Sequence, residues 1–106
     1  MNKNITVKGM DTTESIKNRI DESIEKIEKF SLPISSLNVV VVSSKTGIKV
    51  EFEVVISKSS PVIVTQENKD FFVAIDLLED RLKKALRRLH DKKVQKRRKR
   101  GLKYED

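Results

Sequence analysis

Arg81, Lys84, Arg88 and Lys92 recur at steps of three and four residues. On an α-helix that spacing places them along one side over about 16 Å. Such a row offers guanidinium forks and ammonium point charges to phosphate groups. Arg87 and Lys93 flank it, and Lys96, Arg97, Arg98, Lys99 and Arg100 extend it. Lys26 and Lys29 add two more cations near the end of an earlier helical segment, where the helix dipole favours positive charge. The chemistry these residues can do is polyanion capture.

Other chemistry finds little support. Glycine occurs only at positions 9, 47 and 101, so there is no glycine-rich phosphate loop. No cysteine is present, which excludes disulfides and thiolate metal sites. His90 is the sole histidine and has no serine or cysteine nucleophile in its sequence neighbourhood. Glu51 and Glu53 share one side of a strand and read as solubilising charges that discourage edge pairing. Asp76, Glu79 and Asp80 read as ordinary helix partners, through Glu79–Lys83 and Asp80–Lys84. The expectation is no enzyme, no cofactor and no metal.

The elements that position the cations follow from periodicity. Phe71, Ile75, Leu78, Leu82, Ala85 and Leu89 repeat at four and three residues and predict a long helix from about Asp70, with Asp70 as its cap. Arg81, Lys83, Lys84, Arg87 and Arg88 then fall roughly 120° to 280° from that apolar stripe. The stripe ends at Leu89 while the basic residues continue. Upstream, Asn4–Lys8 alternates as a short strand. A first helix starts near Asp11 or Thr12, with Asp11 and Glu14 approximating a capping box, and runs to about Phe30. Ile16, Ile20, Ile24, Ile27 and Phe30 form its stripe, with Glu22–Lys26 and Glu25–Lys29 as surface pairs. Leu37–Ser43, with four consecutive valines, predicts a strand inside a sheet. Lys49–Lys58 and Val62–Gln66 predict two more. The order β-α-β-β-β-α predicts an α+β two-layer sandwich: a four-stranded mixed sheet covered on one face by two helices. Its first crossover should be right-handed and parallel, and its last three strands an antiparallel meander.

Charge sharpens the reading. Residues 1–80 hold ten Lys/Arg and thirteen Asp/Glu, whereas residues 81–106 hold thirteen against three. The excess positive charge therefore lies entirely in the last quarter of the chain. A solvated tail is the plainer reading of such a run. Its density on a helix anchored at one end favours a polyanion instead. With four Phe, one Tyr and no Trp, several of them core candidates, little is left to stack on splayed bases. Recognition of backbone and shape in structured RNA is the expectation, rather than DNA. A membrane surface is disfavoured because the sheet needs the apolar face of the helix.

Several stretches together resemble the short-type bacterial ribosome hibernation promoting factors and ribosome-associated inhibitors. They are Ile5-Thr6-Val7-Lys8-Gly9 followed by Thr12-Thr13-Glu14-Ser15-Ile16, then Lys26-Ile27-Glu28-Lys29-Phe30, and Asp70-Phe71-Phe72-Val73-Ala74-Ile75-Asp76 followed by Asp80-Arg81-Leu82 and Leu86. The resemblance runs from Ile5 to about Lys96. It implies a cytoplasmic translation inhibitor that occupies the mRNA and A- and P-site tRNA channel of the small subunit in 70S ribosomes and preserves idle ribosomes. It implies ribosomal-RNA contacts at Lys26, Lys29, Arg81, Lys84, Arg88 and Lys92. Arg87 and Lys93 are added as further ribosomal-RNA contacts, and Lys96, Arg97, Arg98, Lys99 and Arg100 as an extension along the mRNA path. Phe71 and Phe72 depart from the usual Met and Tyr, and Ala85 from a frequent Gln. The expected organisation is a ribosome-binding domain over residues 1–95 and a basic tail over 96–106. A monomer off the ribosome is expected, with ribosome dimers only through another factor. The competing reading is a general structured-RNA binder or RNA chaperone.

Overall fold

The computed structural model describes the backbone of residues 1–105 and the side chains of residues 1–92. Its elements are β1 (Asn2–Lys8), α1 (Glu14–Glu28), β2 (Ile34–Ser44), β3 (Gly47–Ile56), β4 (Val62–Asn68) and α2 (Phe71–Glu105). The order β-α-β-β-β-α is the one the periodicities predict.

The sheet runs β1-β2-β3-β4. β1 pairs parallel with β2, and β2, β3 and β4 form the antiparallel meander. The valine run thus occupies an inner strand. Register places Val39 opposite Phe52 and Val41 opposite Val50, and Phe52 opposite Val64. These side chains point at the helices and are buried. The alternate set, Val40 and Val42 with Glu51 and Glu53, is only half-buried. The expectation that β2 is apolar on both sides therefore holds for its composition but not for its environment, because both helices lie on one face.

That open face carries its own polar order. The Asn4 amide donates to Asn38 Oδ1 at 3.0 Å, and Asn38 Nδ2 donates to Glu53 Oε1 at 2.8 Å. Thr65 Oγ1 donates to Glu51 Oε1 at 3.2 Å. A one-residue slip of any strand would turn these groups to the other face.

Local chemistry refines several boundaries. α1 is capped by Thr13, whose Oγ1 accepts from Ile16 N at 3.2 Å, rather than by Asp11 or Thr12. A β-branched Thr in extended conformation directly before Glu14 serves as the cap, so the Asp11–Glu14 box is not used. α1 stops at Glu28, two residues short of the expected end, and Phe30 packs against the core from the following turn. Asp70 caps α2 as expected, with Oδ1 accepting from Phe72 N at 2.8 Å and Val73 N at 3.4 Å. Strands β1 and β2 start earlier than the alternation suggests, β3 begins and ends two residues sooner, and β4 runs on to Asn68.

The core joins Ile16, Ile20, Ile24 and Ile27 of α1 to Leu37, Val39, Val41, Val50, Phe52, Val54 and Ile56 of the sheet. From α2 it takes Phe71, Ala74, Ile75, Leu78, Leu82 and Leu86. Leu86, not Ala85, continues the buried stripe, with Ala85 and Leu89 half-buried. Gly9 is needed where β1 leaves the sheet. Its φ is +77°, and a Cβ there would lie 2.3 Å from the Ser43 carbonyl oxygen.

Candidate nucleic-acid interface

α2 is held to the sheet through β3 and β4 and to α1 beside it. With Leu78, Leu82 and Leu86 turned inward, Lys84, Arg87 and Arg88 are exposed. None of the three has an acidic partner among the described residues. Lys92 is exposed one turn further on. The expected Asp80–Lys84 pair is absent among the described ion pairs, which leaves the Lys84 ammonium free.

Arg81 departs from the expectation that it points straight away from the core. Its Nη1 donates to the Thr65 carbonyl at 2.7 Å and to Gln66 Oε1 at 3.0 Å. The side chain therefore lies along edge strand β4 with its guanidinium fixed in place. Arg81, Lys84 and Arg88 line a groove whose floor is Val64 and Ala85. Three cations and no carboxylate surround it.

The α1 cations behave differently. Lys26 Nζ lies 2.8 Å from Glu79 Oε1, so it is engaged between the helices and does not form the expected Glu22 pair. Lys29 is exposed at the C-cap of α1. Glu79 is the hub of a cluster that the periodicity reading missed. It is 4% exposed. Arg19 Nη2 bridges it to Asp76, the latter at 2.6 Å, and Arg19 Nη1 donates to Ser23 Oγ at 2.8 Å. Ser23 in turn donates to Glu79 Oε2 at 3.2 Å. Lys83 Nζ approaches Glu79 at 3.3 Å, which is the expected i,i+4 pair. Burial alone would raise the Glu79 carboxyl, but hydrogen bonds from Lys26 and Arg19, the Arg19 charge and Lys83 outweigh it. They hold it at about 2. Burial also works against the Arg19 charge, but the hydrogen bonds to Asp76 and Glu79 raise its pKa on balance.

A sequence signal for this hub exists. Ile75, Glu79, Leu82 and Leu86 follow the four-three-four spacing of the buried stripe, so Glu79 occupies a core position. Ser23 likewise stands three residues after Ile20 on the buried side of α1. A buried carboxylate needs cations, and Arg19, one turn before Ser23, supplies the first.

His90 Nδ1 lies 3.7 Å from Asp91 Oδ1. Lys93, Lys96, Arg97, Arg98, Lys99 and Arg100 lie outside the described side chains, although α2 continues through them. No described helix is long and apolar enough to cross a membrane.

The surface therefore divides by sign. The described half of α2 beyond Leu78 carries unpaired cations, while the open sheet face carries Glu51, Glu53 and Glu67, with Lys8 and Lys49. A polyanion is attracted to the first and gains little from the second.

Known proteins share this architecture. A ribosomal subunit interface protein from Coxiella burnetii superposes with a TM-score of 0.73 at 20% identity, covering 84% of this chain and 97% of that one. The N-terminal domain of Protein Y from Thermus thermophilus gives 0.73 at 21% identity, covering 84% and 99%. At these identities the likeness establishes the fold. A ribosome hibernation promoting factor from Azotobacter vinelandii is 28% identical over 95 residues, 90% of this chain and 88% of that protein. The profile of the family described as Sigma 54 modulation protein / S30EA ribosomal protein matches residues 3–94, which takes in nearly the whole sheet, α1 and the first two thirds of α2, and the chain belongs to that family.

Proposed function

We propose that this protein is a ribosome hibernation factor that binds ribosomal RNA of the small subunit through the cationic side of α2. It occupies the channel for mRNA and for A- and P-site tRNA, and so keeps an idle ribosome from translating. The observation that carries this reading is the set of unpaired, exposed cations Lys84, Arg87 and Arg88 on a helix whose other side is locked into the core. The backbone that carries these charges is already ordered, so binding restricts only their side-chain rotamers. The relative from Azotobacter vinelandii is named for ribosome hibernation, which supports the same partner. Lys29 and Lys92 extend the contact, and Lys93 and residues 96–100 carry it further along the mRNA path. Lys26 contributes from its place beside Glu79.

Reversing Lys84, Arg87 and Arg88 to Glu together tests this. These three make no described intramolecular ion pair, so the fold should persist, as circular dichroism and thermal unfolding would show. The variant should fail to sediment with 70S particles and should no longer inhibit translation in an extract. In wild type the logarithm of affinity should fall steeply with the logarithm of salt. Each lost phosphate contact flattens that slope by about 0.7–0.9. Continued inhibition by the variant would refute the assignment to α2. Wild-type protein that binds duplex RNA but leaves translation running would be a general RNA binder instead.

A further inference from the structure

We propose that the groove between β4 and α2 holds one unpaired nucleotide of the bound RNA. The base lies over Val64 and Ala85, and the phosphates meet Lys84 and Arg88. The inference rests on the RNA-binding reading above and deepens it.

Arg81, Lys84, Ala85 and Arg88 lie at steps of three, one and three, hence on one side of α2. Val64 of β4 closes the floor beneath them. The groove encloses about 300 Å³. That is the low end of the range for small-molecule sites, about 300–1,000 Å³. A single base fits such a space, whereas a duplex can only touch its rim. The lining combines two demands that few ligands meet together. Three cations and no carboxylate select an anion. A floor of Val64 and half-buried Ala85 selects an apolar plane. A nucleotide supplies both.

Arg81 provides the third element. Both protons of its Nη1 go to β4, at the Thr65 carbonyl and Gln66 Oε1. The guanidinium plane is thereby set before any ligand arrives. Nη2 and Nε make no described bond, so they remain as donors, and the flat face remains for stacking. No aromatic side chain lines the groove, so the fixed guanidinium serves as the stacking surface.

The test compares an RNA stem carrying one bulged nucleotide with the same stem fully paired, by fluorescence anisotropy at fixed salt. Wild-type protein should prefer the bulged stem by about tenfold, the low end of what one stacked base contributes. Ala85→Leu fills the groove without changing charge and should bring the ratio close to one. Arg81→Lys keeps the charge but loses the planar fork, and should lower the ratio as well, which keeps the question open to refutation if the first variant folds poorly. Equal binding of the two stems by wild type, or a tenfold preference surviving in both variants, would overturn the proposal. Sedimentation with ribosomes is read separately. Ribosome binding without a bulge preference sinks this inference alone, and a bulge preference without ribosome binding sinks the hibernation reading alone.

Discussion

Arg19→Ala should destabilise the domain by about 2 kcal/mol at neutral pH. Removing one partner of a buried ion pair typically costs about 3–5 kcal/mol, because the other charge is stranded. Here the stranded group is Glu79, 4% exposed, and two of its three cations, Lys26 and Lys83, would remain. Both are well exposed at their side chains, so water screens them and lessens the penalty. The same cluster sets a pH dependence. The Glu79 carboxyl is held at about 2 against an ordinary 4.5. A carboxyl lowered on folding adds stability that is fully present above its unfolded value. That stability fades as pH falls from about 4.5 towards 2. At about 1.4 kcal/mol per pH unit the full amount would be about 3 kcal/mol, and screening reduces it to about 1–2 kcal/mol. Urea unfolding of wild type, Arg19→Ala and Glu79→Gln from pH 7 to pH 2.5 measures all of this. The gap between wild type and Glu79→Gln should be constant from pH 7 to 5 and shrink below 4.5. A gap that does not change with pH, or an Arg19→Ala cost under about 0.5 kcal/mol, would refute the claim that Glu79 is an ionised interhelical hub.

Three further outcomes follow from the packing. Gly9→Ala should cost at least about 1–3 kcal/mol, since it combines a positive φ with a Cβ 2.3 Å from a backbone oxygen, and thermal unfolding would show it. Thr13→Ala should cost about 1 kcal/mol through the lost cap, whereas Asp11→Ala should change the urea midpoint little. Leu86→Ala should cost about 2–5 kcal/mol because the side chain is fully buried. Its destabilisation should exceed that of Ala85→Ser at the half-buried neighbour, measured in the same denaturant series.

The long-range order of this chain was legible because each element carries one strong periodicity. The valines of β2 and the alternation of β3 specify strands, and the four-three spacing of isoleucines and leucines specifies helices. Once four strands need one cover and two helices each have one apolar stripe, few arrangements remain. The family was legible too, from the stretches at Ile5–Ile16, Lys26–Phe30 and Asp70–Leu86, and the profile over residues 3–94 agrees. So was the concentration of cations after residue 80, since net charge needs no coordinates.

Tertiary structure decided which of those cations are available. A helical wheel gives an angle from the stripe, but not what stands at that angle. Arg81 and Lys84 read alike in sequence, yet β4 passes within reach of Arg81 and fixes it, while Lys84 stays free. Lys26 read as a surface partner of Glu22, but α1 and α2 lie side by side and bring Glu79, 53 positions later in the chain, closer to it. Glu79 itself occupies a core position that Arg19 and Lys26, from the other helix, and Lys83 make tolerable. Local sequence sets which face of an element is apolar. The charge partners across two elements depend on how those elements pack, and a buried carboxylate holds its cations more firmly than solvent-exposed neighbours on one helix can.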